Sequence, residues 1–242
     1  MITSRQLPST GAPSPERRRL IGLAAVCAAA LVSAPPVVAR DAETGALHDF
    51  LLTLLQSPDG RVRVEKARLA YDAARASANR RTPPVSDLLV SIAAAGVIAR
   101  AAPVTDPAGK AMALGAKSQV AAARRAAPQL AWVHAADGLW HLGVVSKAGP
   151  LGAGILGASA RTGFAAIDRA LLLDGDDPFI ALSVAAVLTS LDPVRYGARA
   201  TVLAGRADTS SAPPPVRNTA AGLRLALQGP PSAARAFASE II

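Results

Sequence analysis

Three residues capable of acid–base or metal chemistry fall close together in this chain. His134, Asp137 and His141 are spaced i, i+3 and i+7, which places them on one face of a helix. A zinc-protease helix needs its two histidines at i and i+4. At about 1.5 Å of rise per residue, His134 and His141 stand roughly 10 Å apart along the axis and cannot share one ion. The spacing therefore predicts no metal site. It predicts instead that Asp137 is the hydrogen-bond partner that fixes His141 in a helix interface. His48 is distant in sequence and joins no pattern.

Trp132 and Trp140 lie eight positions apart, near one face of the same segment, and Lys147 closes it. Two roles are open to the tryptophans: packing between stacked helices, or stacking on a ligand. Lys147 suits the negative end of a helix dipole. Residues 150–160 follow, with Leu151, Ile155 and Leu156 among glycines and alanines and no charge. Loops are normally on the surface. An uncharged apolar one must fold back over the helices or meet a partner or a membrane.

No other motif points to a reaction. The chain lacks a GxxxxGK[ST] phosphate loop, a dinucleotide fingerprint after a strand and a metal-spaced His/Glu helix. No Ser–His–Asp set is recognisable by spacing. The expectation is a non-enzyme with no cofactor.

The elements that position these residues are helices. Hydrophobic residues make up 51% of the chain but aromatics only 3%, so the apolar mass is mostly Ala, Leu and Val. Ala and Leu favour helices, and runs rich in β-branched and aromatic residues are missing. The expected core is built from closely approaching small residues. Periodicity predicts helices over 42–56, 61–78, 85–101, 108–127 and 129–147, then several more to about 241. The helix at 61–78 is expected to bury Val62, Leu69, Ala70 and Ala73, and the one at 85–101 to bury Leu88, Leu89, Ile92 and Ala95. Residues 179–191 are apolar on nearly every face, as in a helix buried on several sides. The apolar tail of Phe237, Ile241 and Ile242 is expected to dock on the last pair.

Net charge is +9, spread over short clusters such as Arg61/Arg63 and Arg124-Arg125. A nucleic-acid binder shows a denser basic stripe with stacking aromatics, so no nucleic acid is expected.

Residues 1–39 resemble an export signal. A polar lead ends in Arg17-Arg18-Arg19, residues 20–34 are apolar apart from Ser33, and Val37-Val38-Ala39 offers small residues for cleavage after Ala39. The apolar run is shorter than the roughly 20 residues a membrane span needs. Arg17-Arg18-Arg19-Leu20-Ile21 matches the twin-arginine core, and both the Sec and Tat routes stay open. The only cysteine, Cys27, lies inside this segment, so the exported chain, residues 40–242, would have no thiol or disulfide. Periplasmic or secreted location follows.

The spacing of small and large residues in 129–205 resembles the tetratricopeptide repeat. Trp132, Ala135, Ala136 and Leu139 fall at its first-helix positions, and Gly163, Ile167 and Ala170 at its second. Trp132 and Gly163 are 31 positions apart where the pattern has about 16. The next unit keeps the usual gap, with Ala181, Val184, Ala185 and Leu188 followed by Gly197, Thr201 and Ala204. The enlarged unit, with Trp140-His141-Leu142-Gly143, is similar to the divergent repeats of regulator-of-microtubule-dynamics proteins and related exported bacterial proteins. The resemblance implies an all-α fold of antiparallel helix hairpins, stacked as a solenoid or a compact array in one domain. It also implies a non-catalytic scaffold that binds a protein or peptide against its first helices. A small-ligand-binding or transport accessory role, through Trp132, Asp137, Trp140 and His141, is the alternative.

Overall fold

The structure, a computed structural model, describes residues 37–57, 59–78 and 82–241. The expected signal segment lies, up to residue 36, outside the described residues, as does Ile242. The fold below belongs to the unit that runs from Arg40 to Ile242.

The described residues form ten helices and no strand: α1 (Val37–Leu55), α2 (Gly60–Ala78), α3 (Val85–Ala101), α4 (Pro107–Ala126), α5 (Ala131–Leu156), α6 (Ala160–Leu173), α7 (Pro178–Leu191), α8 (Pro193–Ala207), α9 (Pro214–Ala226) and α10 (Pro231–Ile241). No helix is long and apolar enough to cross a membrane, among the described residues. The fold is an all-α helical array. Short connections make consecutive helices antiparallel neighbours.

Asp-Pro punctuation sets much of the register. Asp106, Asp177 and Asp192 each accept two backbone N–H groups at the start of α4, α7 and α8, and the proline that follows occupies the first helical position. Proline's fixed φ and missing N–H suit that place, and the carboxylate satisfies donors the helix leaves open.

Small residues let α5 and α6 approach closely. A Cβ on Gly138 would stand 2.6 Å from Ile167 Cγ1, and one on Gly163 would stand 2.8 Å from Leu142. Each glycine is the notch for an aliphatic side chain of the other helix. α7 is the axis of the array: it packs against α5, α6, α8, α9 and α10, and its residues from Val184 to Ser190 are all buried. The last helix also turns back. Phe237 of α10 sits in a notch at Gly222 of α9, where a Cβ would be 2.6 Å from the ring.

Two segments differ from the expectation. The buried face of α2 is Ala67, Tyr71 and Ala74, while Leu69 is 67% exposed and Ala73 is exposed. The single aromatic of the helix takes the interior and turns the leucine outward. The second difference is at 150–160, which is mostly not a loop. Gly149 adopts φ 67° and ψ 178°, and helical structure resumes at Pro150 and runs to Leu156. Proline cannot continue a helix from the preceding turn but can begin one. Gly157, at φ 67°, ends this piece with a Schellman pair of hydrogen bonds, Gly157 N–H to Gly154 O and Ala158 N–H to Ala153 O.

Candidate functional site

α5 carries most of the residues singled out by the sequence, and the structure sorts them onto different sides. Toward α7, the Trp132 indole N–H lies 2.7 Å from Asp177 Oδ2 and 3.0 Å from His48 Nε2. The carboxylate is the nearer and stronger acceptor. His48 Nε2 is itself 3.3 Å from the same oxygen, and its ring stacks on Phe179 with centroids 4.4 Å apart. Asp177 Oδ1 caps α7 through Phe179 N–H and Ile180 N–H. Burial alone would raise the Asp177 carboxyl, but the His48 hydrogen bond and charge, the Ile180 N–H and Trp132 together hold it below the usual carboxylate value.

On the other side, toward α4 and α6, Asp137 is buried and its short contact is to Arg124 Nη1, at 2.7 Å. His141 Nε2 stands 3.7 Å from the other carboxylate oxygen, beyond hydrogen-bond length. The Ser159 N–H donates to His141 Nδ1 at 3.1 Å, so the ring proton sits on Nε2 and faces Asp137. Burial pushes the His141 pKa down from its ordinary value; Asp137 opposes this, and Lys117 and Arg124 add to it. The imidazole is therefore neutral near pH 7. Nδ1 accepts from a backbone donor, Nε2 faces Asp137 without the hydrogen bond that the spacing predicts, and among the described residues no hydroxyl or thiol is hydrogen-bonded to either nitrogen. The cluster ties α5 to α4 and to the start of α6. His134 turns to Pro128 O, 2.8 Å away. Among the described residues no group of three His, Cys, Asp or Glu side chains could hold a metal ion.

Trp140 donates to Ala113 O at 2.7 Å and carries Lys117 Nζ over its ring at 5.4 Å. The same lysine donates to Leu156 O and Gly157 O, capping the 150–156 piece. Lys147 donates to Arg100 O and Ala102 O, so the end it caps belongs to α3. Leu151 and Ile155 point outward, 88% and 77% exposed. Leu156 is half-buried, and Ala153 and Ala158 are buried.

The first helices of four successive pairs, α1, α3, α5 and α7, surround one apolar cavity of about 140 Å³. Leu51, Ile92, Trp132, Trp140 and Leu182 are among its walls, with Ile241 at one end. α1 meets α7 through His48 on Phe179 and Asp177. No family model, characterised protein or solved structure matches this chain. The site must therefore be read from its own chemistry.

Sequence reasoning missed Asp177, His48 and Arg100 here. His48 is 84 residues from Trp132, and no local pattern links them. Arg100 also lines the cavity. Its signal was present: it continues the stripe of Leu89, Ala93, Gly96 and Val97 at helical spacing, in a segment with no other charge from Leu88 onward.

Proposed function

We propose that this chain is an exported, non-catalytic binding protein of tetratricopeptide-like design, and that it holds a small apolar ligand in the cavity between α1, α3, α5 and α7. The observation that carries this reading is an apolar cavity with both tryptophans in its wall and their indole N–H groups already committed to Asp177 and Ala113. Ligand sites are concave and mostly apolar, with few polar groups. The spacing resemblance places a partner against the first helices. The apolar, concave lining between these four helices favours the small-ligand alternative. Export rests on the pattern of residues 1–39, and N-terminal sequencing of the secreted form tests cleavage after Ala39.

Titration of the full chain with the apolar dye N-phenyl-1-naphthylamine tests the site. Saturable fluorescence enhancement is expected. Ala136→Phe, which fills the cavity from α5, should remove the enhancement while circular dichroism stays helical. Enhancement that never saturates, or that survives Ala136→Phe, would retire the reading.

A second reading has its own observation. The exposed Leu151 and Ile155 form an apolar ridge, suited to a protein partner or a peripheral membrane contact. It uses a surface separate from the cavity, and both can operate in one molecule.

A further inference from the structure

The geometry points to a ligand with one aliphatic chain and a carboxylate head, the head on Arg100 and the chain along Trp140 and Ile92. This inference rests on the apolar-ligand reading above and adds the chemical class.

Arg100 is the cation of the cavity wall. Its guanidinium lies against Gly143 of α5, where an added Cβ would be 3.7 Å from Nη2. Its Nε is buried and has no hydrogen-bond partner. None of the ion pairs among the described residues involves it. A buried donor atom without a partner is costly, and such groups are ordinarily paired. The carbonyls at the end of α3 would offer partial compensation, but Lys147 takes those of Arg100 and Ala102. Two cations therefore meet at the end of α3, Arg100 in the cavity wall and Lys147 on the carbonyls, and no ion pair among the described residues includes either. Burial lowers the guanidinium to about 10, which leaves it charged at neutral pH. A planar, bidentate acceptor such as a carboxylate fits a guanidinium fork.

The walls select the rest of the ligand. Leu, Ile, Val, Phe and Trp side chains dominate them, and Ser183 is the other polar side chain without an indole or guanidinium. A peptide brings an amide at every residue, and each needs a partner that this cavity does not provide. An aliphatic chain needs none. A cavity of about 150 Å³ holds a benzene-sized molecule, so the 140 Å³ here accommodates about six carbons. Gly96 is exposed and Arg100 partly so, which sets the mouth beside α3 and the head group at it. With its carboxyl group and the adjacent methylene at that mouth, an eight-carbon carboxylate places six carbons inside and meets these limits.

Isothermal titration of the full chain with octanoate and with 1-octanol tests the assignment. Octanoate should bind saturably and about tenfold or more tighter than the alcohol, the scale of one charge-assisted hydrogen-bonded contact. Arg100→Met should erase the preference and leave octanol binding in place, and Arg100→Lys should keep part of it. Equal binding of acid and alcohol to the unaltered chain overturns the carboxylate assignment and leaves the apolar site standing. Binding of the naphthylamine dye without octanoate does the same. Failure of dye, acid and alcohol together removes both. The comparison of acid with alcohol decides the matter even where Arg100→Met does not fold.

Discussion

The indole N–H of Trp132 lies 2.7 Å from Asp177 Oδ2, a carboxylate 45 residues further along the chain. That oxygen also faces His48 of α1, while its twin caps α7. One side chain thus joins α1, α5 and α7 around the cavity. Asp177→Ala removes an N-cap worth about 1 kcal/mol and takes from the Trp132 indole its hydrogen bond to a charged acceptor, worth about 1.5–3 kcal/mol. Urea unfolding should show a loss of about 2–4 kcal/mol. Asp177→Asn keeps an N-cap acceptor and should lose less. A loss under about 0.5 kcal/mol for the alanine variant contradicts this account.

Two pH windows follow from Asp177 and His141. The Asp177 carboxyl is held below its ordinary value of 3.8. Its stabilisation is complete above that pH and is lost as pH falls through the folded-state value. His141 is depressed below 6.5, so the unfolded chain binds a proton more readily than the folded one. Stability then declines as pH falls from about 6.5 toward the folded-state value of His141. Chemical denaturation between pH 7.5 and 5 should show that decline, and His141→Gln should flatten it. A decline unchanged in His141→Gln assigns it elsewhere.

Helices and their starts were largely legible because their causes are local. Apolar periodicity marks α3 and α7, and Asp-Pro pairs mark the starts of α4 and α8. Faces were less legible where composition is ambiguous. α2 offers the interior both Leu69 and Tyr71, and only tertiary packing selects the tyrosine. The restart at Pro150 was hidden because a Gly-Pro pair reads as a break, and a break followed by a new helix has the same local signature. Of the candidate site, the tryptophans were legible as a pair on α5. Their partners were not, since His48, Ala113 and Asp177 reach them only through tertiary packing.

The glycine notches between α5 and α6 give a sharp packing test. A methyl on Gly138 meets Ile167 Cγ1 at 2.6 Å and the backbone oxygen of Gly163 at 2.9 Å. Side-chain rotation can relieve the first contact but not the second. Gly138→Ala should therefore cost about 1–3 kcal/mol by overpacking, despite alanine's better helix propensity. Gly96→Ala is the matched control, because nothing lies within 4 Å of its added carbon, and it should be neutral or mildly stabilising. Thermal melts should place Gly138→Ala below the unaltered chain and Gly96→Ala at or above it; a Gly138→Ala that melts no lower would show that propensity, not packing, decides there.

The apolar ridge of Leu151 and Ile155 tests the second reading. These residues are one helical turn apart, and the short piece that bears them is rigidly ended by the Gly157 turn and by Lys117 on Leu156 O and Gly157 O. Neither side chain is buried in the fold, so replacing both by aspartate should change stability by no more than about 0.5 kcal/mol. Crosslinking of the tagged full chain in envelope extracts should then lose its captured proteins in the double variant, with dye binding in the cavity unchanged. Loss of dye binding along with capture would mean that the ridge and the cavity are one site. Capture that survives the double substitution would remove the ridge as an interface.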